Sequence, residues 1–207
     1  MPSTTMTDHT VSDPLRPPSL RGAIKDHLLL LFGLLGIMWA MEFLDLLPFI
    51  HLDRYGIQPR SLSGLVGIVF APFLHAGFGH LIVNSLPFVV LGGIVLLGGV
   101  RVFWKVTIFV TLVGGFGVWL FAGRLSNHIG ASGVIFGYLG FLLARGFFEK
   151  SLPWMGVAVG ILIGYGGLLF GLLPIQAGVS WQGHSFGFLA GIGTARLMFP
   201  SGRTMLH

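Results

Sequence analysis

The stretch GASGVIFGYLG, residues 130–140, opens one of the long apolar runs of this chain and sets one hydroxyl, that of Ser132, among glycine and alanine. Small residues let membrane helices approach each other closely, and serine serves this purpose as well as glycine or alanine. A lone serine here therefore has two interpretations, a helix contact or a reactive group. The rest of the chain distinguishes between them.

The composition is that of a helical membrane protein. Of the 207 residues, 54% are hydrophobic and 9% are charged, whereas about a quarter of the residues of a soluble domain are charged. The net charge of +5 does not indicate nucleic-acid binding, because the positive residues are scattered at the ends of apolar runs. The absence of cysteine excludes a disulfide, a thiol nucleophile and a thiolate metal site.

Six apolar runs are long enough to cross a bilayer. They cover residues 27–47, 79–98, 102–121, 131–148, 153–172 and 181–199. Residues 1–25 are rich in Ser, Thr and Pro, which predicts a disordered tail. We therefore predict an all-α membrane protein, with one six-helix domain over residues 26–200 and a short tail over residues 201–207. The long loop at 48–78 is expected to lie partly in the outer membrane interface.

The distribution of Lys and Arg orients these helices, since positive residues in short loops remain on the cytoplasmic side. With both termini in the cytoplasm, nine positive residues are cytoplasmic and three are external. The nine are Arg16, Arg21, Lys25, Arg101, Lys105, Arg145, Lys150, Arg196 and Arg203, and the three are Arg54, Arg60 and Arg124. The second, fourth and sixth helices then begin at the outer side. A plasma membrane, most simply that of a prokaryote, is the expected location.

Glycines recur at four-residue spacing in the last two helices, at Gly156, Gly160 and Gly164 and again at Gly183, Gly187 and Gly191. This spacing places each set on one helix face. We predict that both helices have a face for close packing.

Four polar residues fall at one depth in the outer part of the membrane. His80 and Asn84 lie four residues apart at the start of the second helix, Ser132 begins the fourth, and His184 lies near the start of the sixth. Ionisable groups inside spanning segments are costly, so such a cluster indicates function. Histidine can remove the serine proton and thereby create a nucleophile.

These residues predict a serine hydrolase with a dyad of Ser132 and His184. No carboxylate is available to orient the histidine, because the acidic residue after Asp53 is Glu149, at the cytoplasmic end of the fourth helix. His80 and Asn84 could donate N–H groups to a developing oxyanion, together with the backbone N–H of Ser132, which is free in a first helical turn.

Other function classes fit the sequence less well. An intramembrane aspartyl protease needs two membrane aspartates, and a zinc protease is expected to carry HExxH; the last five helices contain neither. His75 and His80 could join His184 at a metal, but without a carboxylate the pattern is weak, so no metal or other cofactor is expected. A transporter whose polar residues line a solute pathway is an alternative, and such a protein would still transport solute when Ser132 is replaced by alanine.

The chain resembles the rhomboid intramembrane serine proteases over about residues 50–199. The motifs that carry the resemblance are GIQPR at 56–60, APFLHAGFGHLIVN at 71–84, GASG at 130–133 and GHSFGFLAG at 183–191. The resemblance implies a compact bundle with Ser132 as nucleophile, His184 as base, and His80, Asn84 and the Ser132 amide at the oxyanion. It also implies that the substrates are membrane-spanning segments of other proteins, cut near their outer end.

Two departures from the family pattern concern the site and the first loop. Some members carry a tyrosine one turn after the serine, packed on the catalytic histidine, where this chain has Phe136. Phenylalanine can pack but cannot hydrogen-bond, so only a packing role is expected. The Trp-Arg pair that some members have in the first loop is missing. A rhomboid-like protein that binds membrane helices without catalysis is the alternative.

Overall fold

The computed structural model describes residues 20–175 and 178–200, and within these ranges it is helical apart from loops and one isolated bridge between Ile57 and His128. The eight α-helices of the described chain are α1 Leu20–Asp45, α2 Leu62–Phe70, α3 Phe78–Leu96, α4 Val100–Phe109, α5 Gly115–Phe121, α6 Ser132–Glu149, α7 Leu152–Tyr165 and α8 Trp181–Met198. A π-helical turn, Val110–Gly114, joins α4 to α5, and a 3-10 segment, Gly166–Leu172, continues α7.

All six apolar runs are helical, with ends within a few residues of those expected, except at the N-terminus. There α1 begins at Leu20, inside the segment that composition assigned to a tail. The apolar segment Ile24–Asp45 forms most of α1, and residues 20–23 continue the same helix by about one turn at its N-terminal end. Residues 1–19 and 201–207, the rest of the two expected tails, lie outside the described residues.

Four helical segments of the described chain are long and apolar enough to cross a membrane: Ile24–Asp45, Phe78–Leu96, Val100–Phe121 and Leu152–Leu172. α6 and α8 have 18 residues each but carry more polar side chains, among them Arg145 and Glu149 in α6 and His184 in α8. α6 lies inside the bundle and α8 packs along it, so these side chains have protein neighbours. The molecule is thus an all-helical membrane protein.

α6 forms the centre of the bundle, and its apolar side chains from Val134 to Leu142 are buried. α6 and α8 are parallel, because Gly187 packs on the backbone of Gly133 and Gly191 packs on that of Gly137. A methyl group on either α8 glycine would overlap a carbonyl oxygen of α6. The close packing predicted for the last helix is therefore present.

The corresponding prediction for α7 is wrong. A Cβ atom placed on Gly156, Gly160 or Gly164 would have no atom of the described residues within 4 Å. α7 touches the bundle mainly through α6, at its N-terminal end where Gly146 of α6 meets Trp154 and Met155, and through one buried side chain, Ile161. Regular glycine spacing places residues on one face, but only the tertiary structure determines whether another helix covers that face.

Candidate active site

The site lies where the N-terminal ends of α3, α6 and α8 meet the loops that precede them. Ser132 is the first residue of α6, and it follows Gly130, whose φ of 113° favours glycine. Ser132 lines a partly open cavity between α2, α5 and the α6–α8 pair. Its backbone N–H donates no hydrogen bond within the described chain, as expected for a first helical turn.

His184, in the first turn of α8, is held on two sides. Its ring stacks on Phe136 with centroids 4.1 Å apart and planes 6° from parallel. Its Nδ1 lies 2.9 Å from the carbonyl oxygen of Gly171, in the 3-10 segment after α7. A carbonyl only accepts, so Nδ1 carries the proton and Nε2 is left with a free lone pair. The packing expected of Phe136 is thus present in the structure.

Gly171 is a residue that sequence reasoning missed. A methyl group there would lie 2.8 Å from Cζ of Phe136 and 3.1 Å from Nδ1 of His184. Glycine is therefore required for its carbonyl to approach the stacked pair this closely. Every residue has a backbone carbonyl, so no sequence motif marks this role.

His80 reaches the loop before Ser132. A methyl group on Gly130 would be 2.6 Å from Cε1 and 2.9 Å from Nε2 of this ring. The Nδ1 atom of His80 accepts from the backbone N–H of Ala76 at 3.4 Å, which places the ring proton on Nε2, toward Gly130. His80 thus presents a donor two residues ahead of the serine.

Asn84 is buried one turn below His80 and donates from Nδ2 to the His80 carbonyl at 3.0 Å. The sequence analysis considered His75 only as a weak metal-ligand candidate, but its Nε2 accepts from the backbone N–H of Ala131 at 3.3 Å. Burial, and then the neighbouring His80, lowers the pKa of His75 to about 4, so the ring is neutral near pH 7. It ties the residue before Ser132 to the loop ahead of α3.

Ser132 and His184 form no hydrogen bond with each other among the described residues. Catalytic hydrogen bonds are often long in enzymes without substrate and tighten in the complex. The arrangement brings together a serine at a helix start, a histidine with one ring nitrogen free, and a second histidine with a free donor. These are the parts of an acyl-transfer site.

Comparison with known proteins identifies the family. The family model for the Rhomboid domain matches residues 63–201. This range contains Ser132, His184, His80, Asn84 and Phe136.

The chain also resembles mycobacterial proteins whose names describe them as uncharacterized. It is 41% identical over 119 residues to such a protein of Mycobacterium tuberculosis (strain ATCC 25618 / H37Rv), covering 55% of this chain and 50% of the relative. It is 40% identical over 121 residues to one of Mycobacterium leprae (strain TN), covering 56% and 48%. The chain spans about half the length of the curated relatives it matches. Since the Rhomboid domain match covers well over half of the chain, the protein belongs to the rhomboid family.

Proposed function

We propose that this protein is an intramembrane serine protease that hydrolyses a peptide bond at or near the outer end of a membrane-spanning segment of another protein. The observation that carries the proposal is the state of His184, which is stacked on Phe136 and bonded through Nδ1 to Gly171, with no bond at Nε2 from any described residue. The family, whose members are generally serine proteases of this kind, supports it.

In the proposed reaction the Oγ atom of Ser132 attacks the scissile carbonyl carbon while Nε2 of His184 takes the hydroxyl proton. The same nitrogen then returns that proton to the leaving amine, and water hydrolyses the acyl-enzyme by the reverse sequence. Nε2 of His80, Nδ2 of Asn84 and the amide of Ser132 donate to the oxyanion. The carbonyl of Gly171 takes the orienting role that a carboxylate has in a triad.

We place the protein in a plasma membrane, with six spanning helices and both termini in the cytoplasm. The six are α1, α3, α4 with α5, α6, α7 with its 3-10 segment, and α8. The distribution of Lys and Arg supports this orientation. It places the starts of α3, α6 and α8, and hence the proposed site, near the outer surface.

The test is cleavage of a membrane-spanning substrate by purified protein in liposomes, together with reaction of a fluorophosphonate at the serine. Ser132→Ala and His184→Ala should each lose nearly all activity, because nucleophile and base act as a unit. His80→Ala and Asn84→Ala should be milder, since one oxyanion donor contributes about 10²–10³ in rate. Ser151→Ala, at an α7 N-cap without a side-chain hydrogen bond, is the matched control.

Thermal unfolding of each variant separates loss of chemistry from loss of fold. A folded Ser132→Ala protein that cleaves at the wild-type rate would refute the mechanism. A wild-type protein that binds membrane helices but never reacts with the fluorophosphonate would favour the non-catalytic alternative.

A further inference from the structure

A fourth histidine lies beside the site and has no part in the reaction described above. His128 stands four residues before Ser132, in the loop 122–131 between α5 and α6, and it is only 7% exposed. It lines the same cavity as Ser132, together with Ser180 and Gly183 at the start of α8.

Hydrogen bonds run through His128 in one continuous chain. Ser126 Oγ donates to the carbonyl of Gly123 at 2.6 Å, which uses its one proton, so it accepts from Nε2 of His128 at 2.7 Å. Nδ1 of the neutral ring is then an acceptor, and Ser180 Oγ donates to it at 2.5 Å. Ser180 Oγ in turn accepts from the backbone N–H of Gly183 at 3.1 Å.

A neutral imidazole satisfies every member of this chain with one donor and one acceptor role. Burial lowers the pKa of His128, which favours that neutral form near pH 7. The hydrogen bonds therefore define one tautomer and one ring orientation.

The two ends of the chain lie on the two halves of the proposed site. Ser180 is the N-cap of α8, and its carbonyl accepts the backbone N–H of His184 at 3.1 Å. On the other side, the backbone of His128 pairs with that of Ile57 in both directions, at 2.9 and 3.0 Å. The nucleophile loop is thus fixed to the first long loop and, through the His128 ring, to the turn that carries the base.

We propose that His128 is a positioning residue, which holds the first turn of α8 through Ser180 in register with the loop that carries Ser132. This assignment rests on the proposed protease function. The glycine contacts between α6 and α8 fix the distance between the two helices, but they include no polar side chain that would fix the rotation of this turn. His184 and Ser185 bond this turn to the carbonyls of Gly171 and Leu172 on the α7 side, and the bond between His128 and Ser180 supplies the constraint from the side of the Ser132 loop.

The test measures the rate of fluorophosphonate reaction with Ser132, and thermal unfolding, for His128→Ala, Ser180→Ala, the double variant and His128→Asn. Each alanine variant should react about 10- to 100-fold more slowly, because a displacement of about 1 Å costs roughly 10²-fold. The double variant should be no slower than the slower single one, since both residues act through the same bond. His128→Asn places an amide oxygen where Nδ1 accepts, and should recover most of the rate.

The exposed His51, in the loop after α1, provides the control, and His51→Ala should react at the wild-type rate. Three results would each overturn the assignment and leave the protease function intact. His128→Ala could react at the wild-type rate, the effects of the two substitutions could add in the double variant, or a folded His128→Asn protein could react as slowly as His128→Ala. A wild-type protein that does not react would overturn both. Where His128→Ala is unfolded at the assay temperature, Ser180→Ala and His128→Asn give the answer.

Discussion

Gly171→Ala tests whether the carbonyl after α7 holds the base. The added methyl group would lie 2.8 Å from Cζ of Phe136 and 3.1 Å from Nδ1 of His184, whereas ordinary van der Waals contact begins at 3.4 Å. Either the stacked rings or the 3-10 segment must therefore move by about 0.6 Å. That movement lengthens the bond from His184 to the Gly171 carbonyl, now 2.9 Å.

The expected loss follows from that displacement. A shift of about 1 Å in a reacting group costs roughly 10²-fold, so a shift of about half that size predicts a loss of about 10-fold or more in the rate of cleavage. Fold stability should change little, because the 3-10 segment has no buried residues. The fluorophosphonate reaction should slow by the same factor as cleavage, since both need the base.

Gly167→Ala is the matched control, because a methyl group there has no atom within 4 Å in the same 3-10 segment. It should cleave and react at the wild-type rate. A Gly171→Ala protein with wild-type rates in both assays would refute the idea that this carbonyl orients His184. Equal losses in the two variants would point instead to a general effect of alanine on the segment.

Three further predictions concern the ring stack, the topology and the first loop. Phe136→Tyr should keep substantial activity, whereas Phe136→Ala should lose much of it, because the imidazole of His184 is then free to move. Cleavage by Phe136→Ala at the wild-type rate would contradict the packing role. Leu125→Cys, the sole cysteine of that variant, should react with an impermeant maleimide from outside the cell, and labelling only from the cytoplasmic side would reverse the orientation. In the first loop, burial and then the charge of Asp45 raise the pKa of Asp53 to about 6. The folded state therefore binds the proton of the Asp53 carboxyl more tightly than the unfolded state does. The free energy of unfolding of the wild type, relative to that of Asp53→Asn, should fall as the pH rises from about 4 to about 6. A difference between the two proteins that stays constant across that pH range would contradict this prediction.

The helices and most of their ends could be predicted because a membrane imposes a simple rule on the sequence. A segment that crosses the bilayer must make all its backbone hydrogen bonds within itself and needs about 20 apolar residues. Such a run can be recognised in the sequence before the fold is known. The run at 79–98, for instance, corresponds to α3 at Phe78–Leu96. The glycines of α7 show the limit of this reasoning, because their spacing implied a close contact that no helix of the described chain makes with them.

The sequence by itself determined the side-chain chemistry available to the site: Ser132 at a helix start, two histidines and an asparagine at the same depth, and no carboxylate to complete a triad. Polar side chains are costly in a membrane, so they stand out from the apolar residues around them. Only the tertiary structure decided that the carbonyl of Gly171 bonds to His184 and that His128 joins the nucleophile loop to Ser180. A carbonyl is common to all residues, and the partner of His128 lies 52 positions away, so both contacts depend on where the folded loops meet in space.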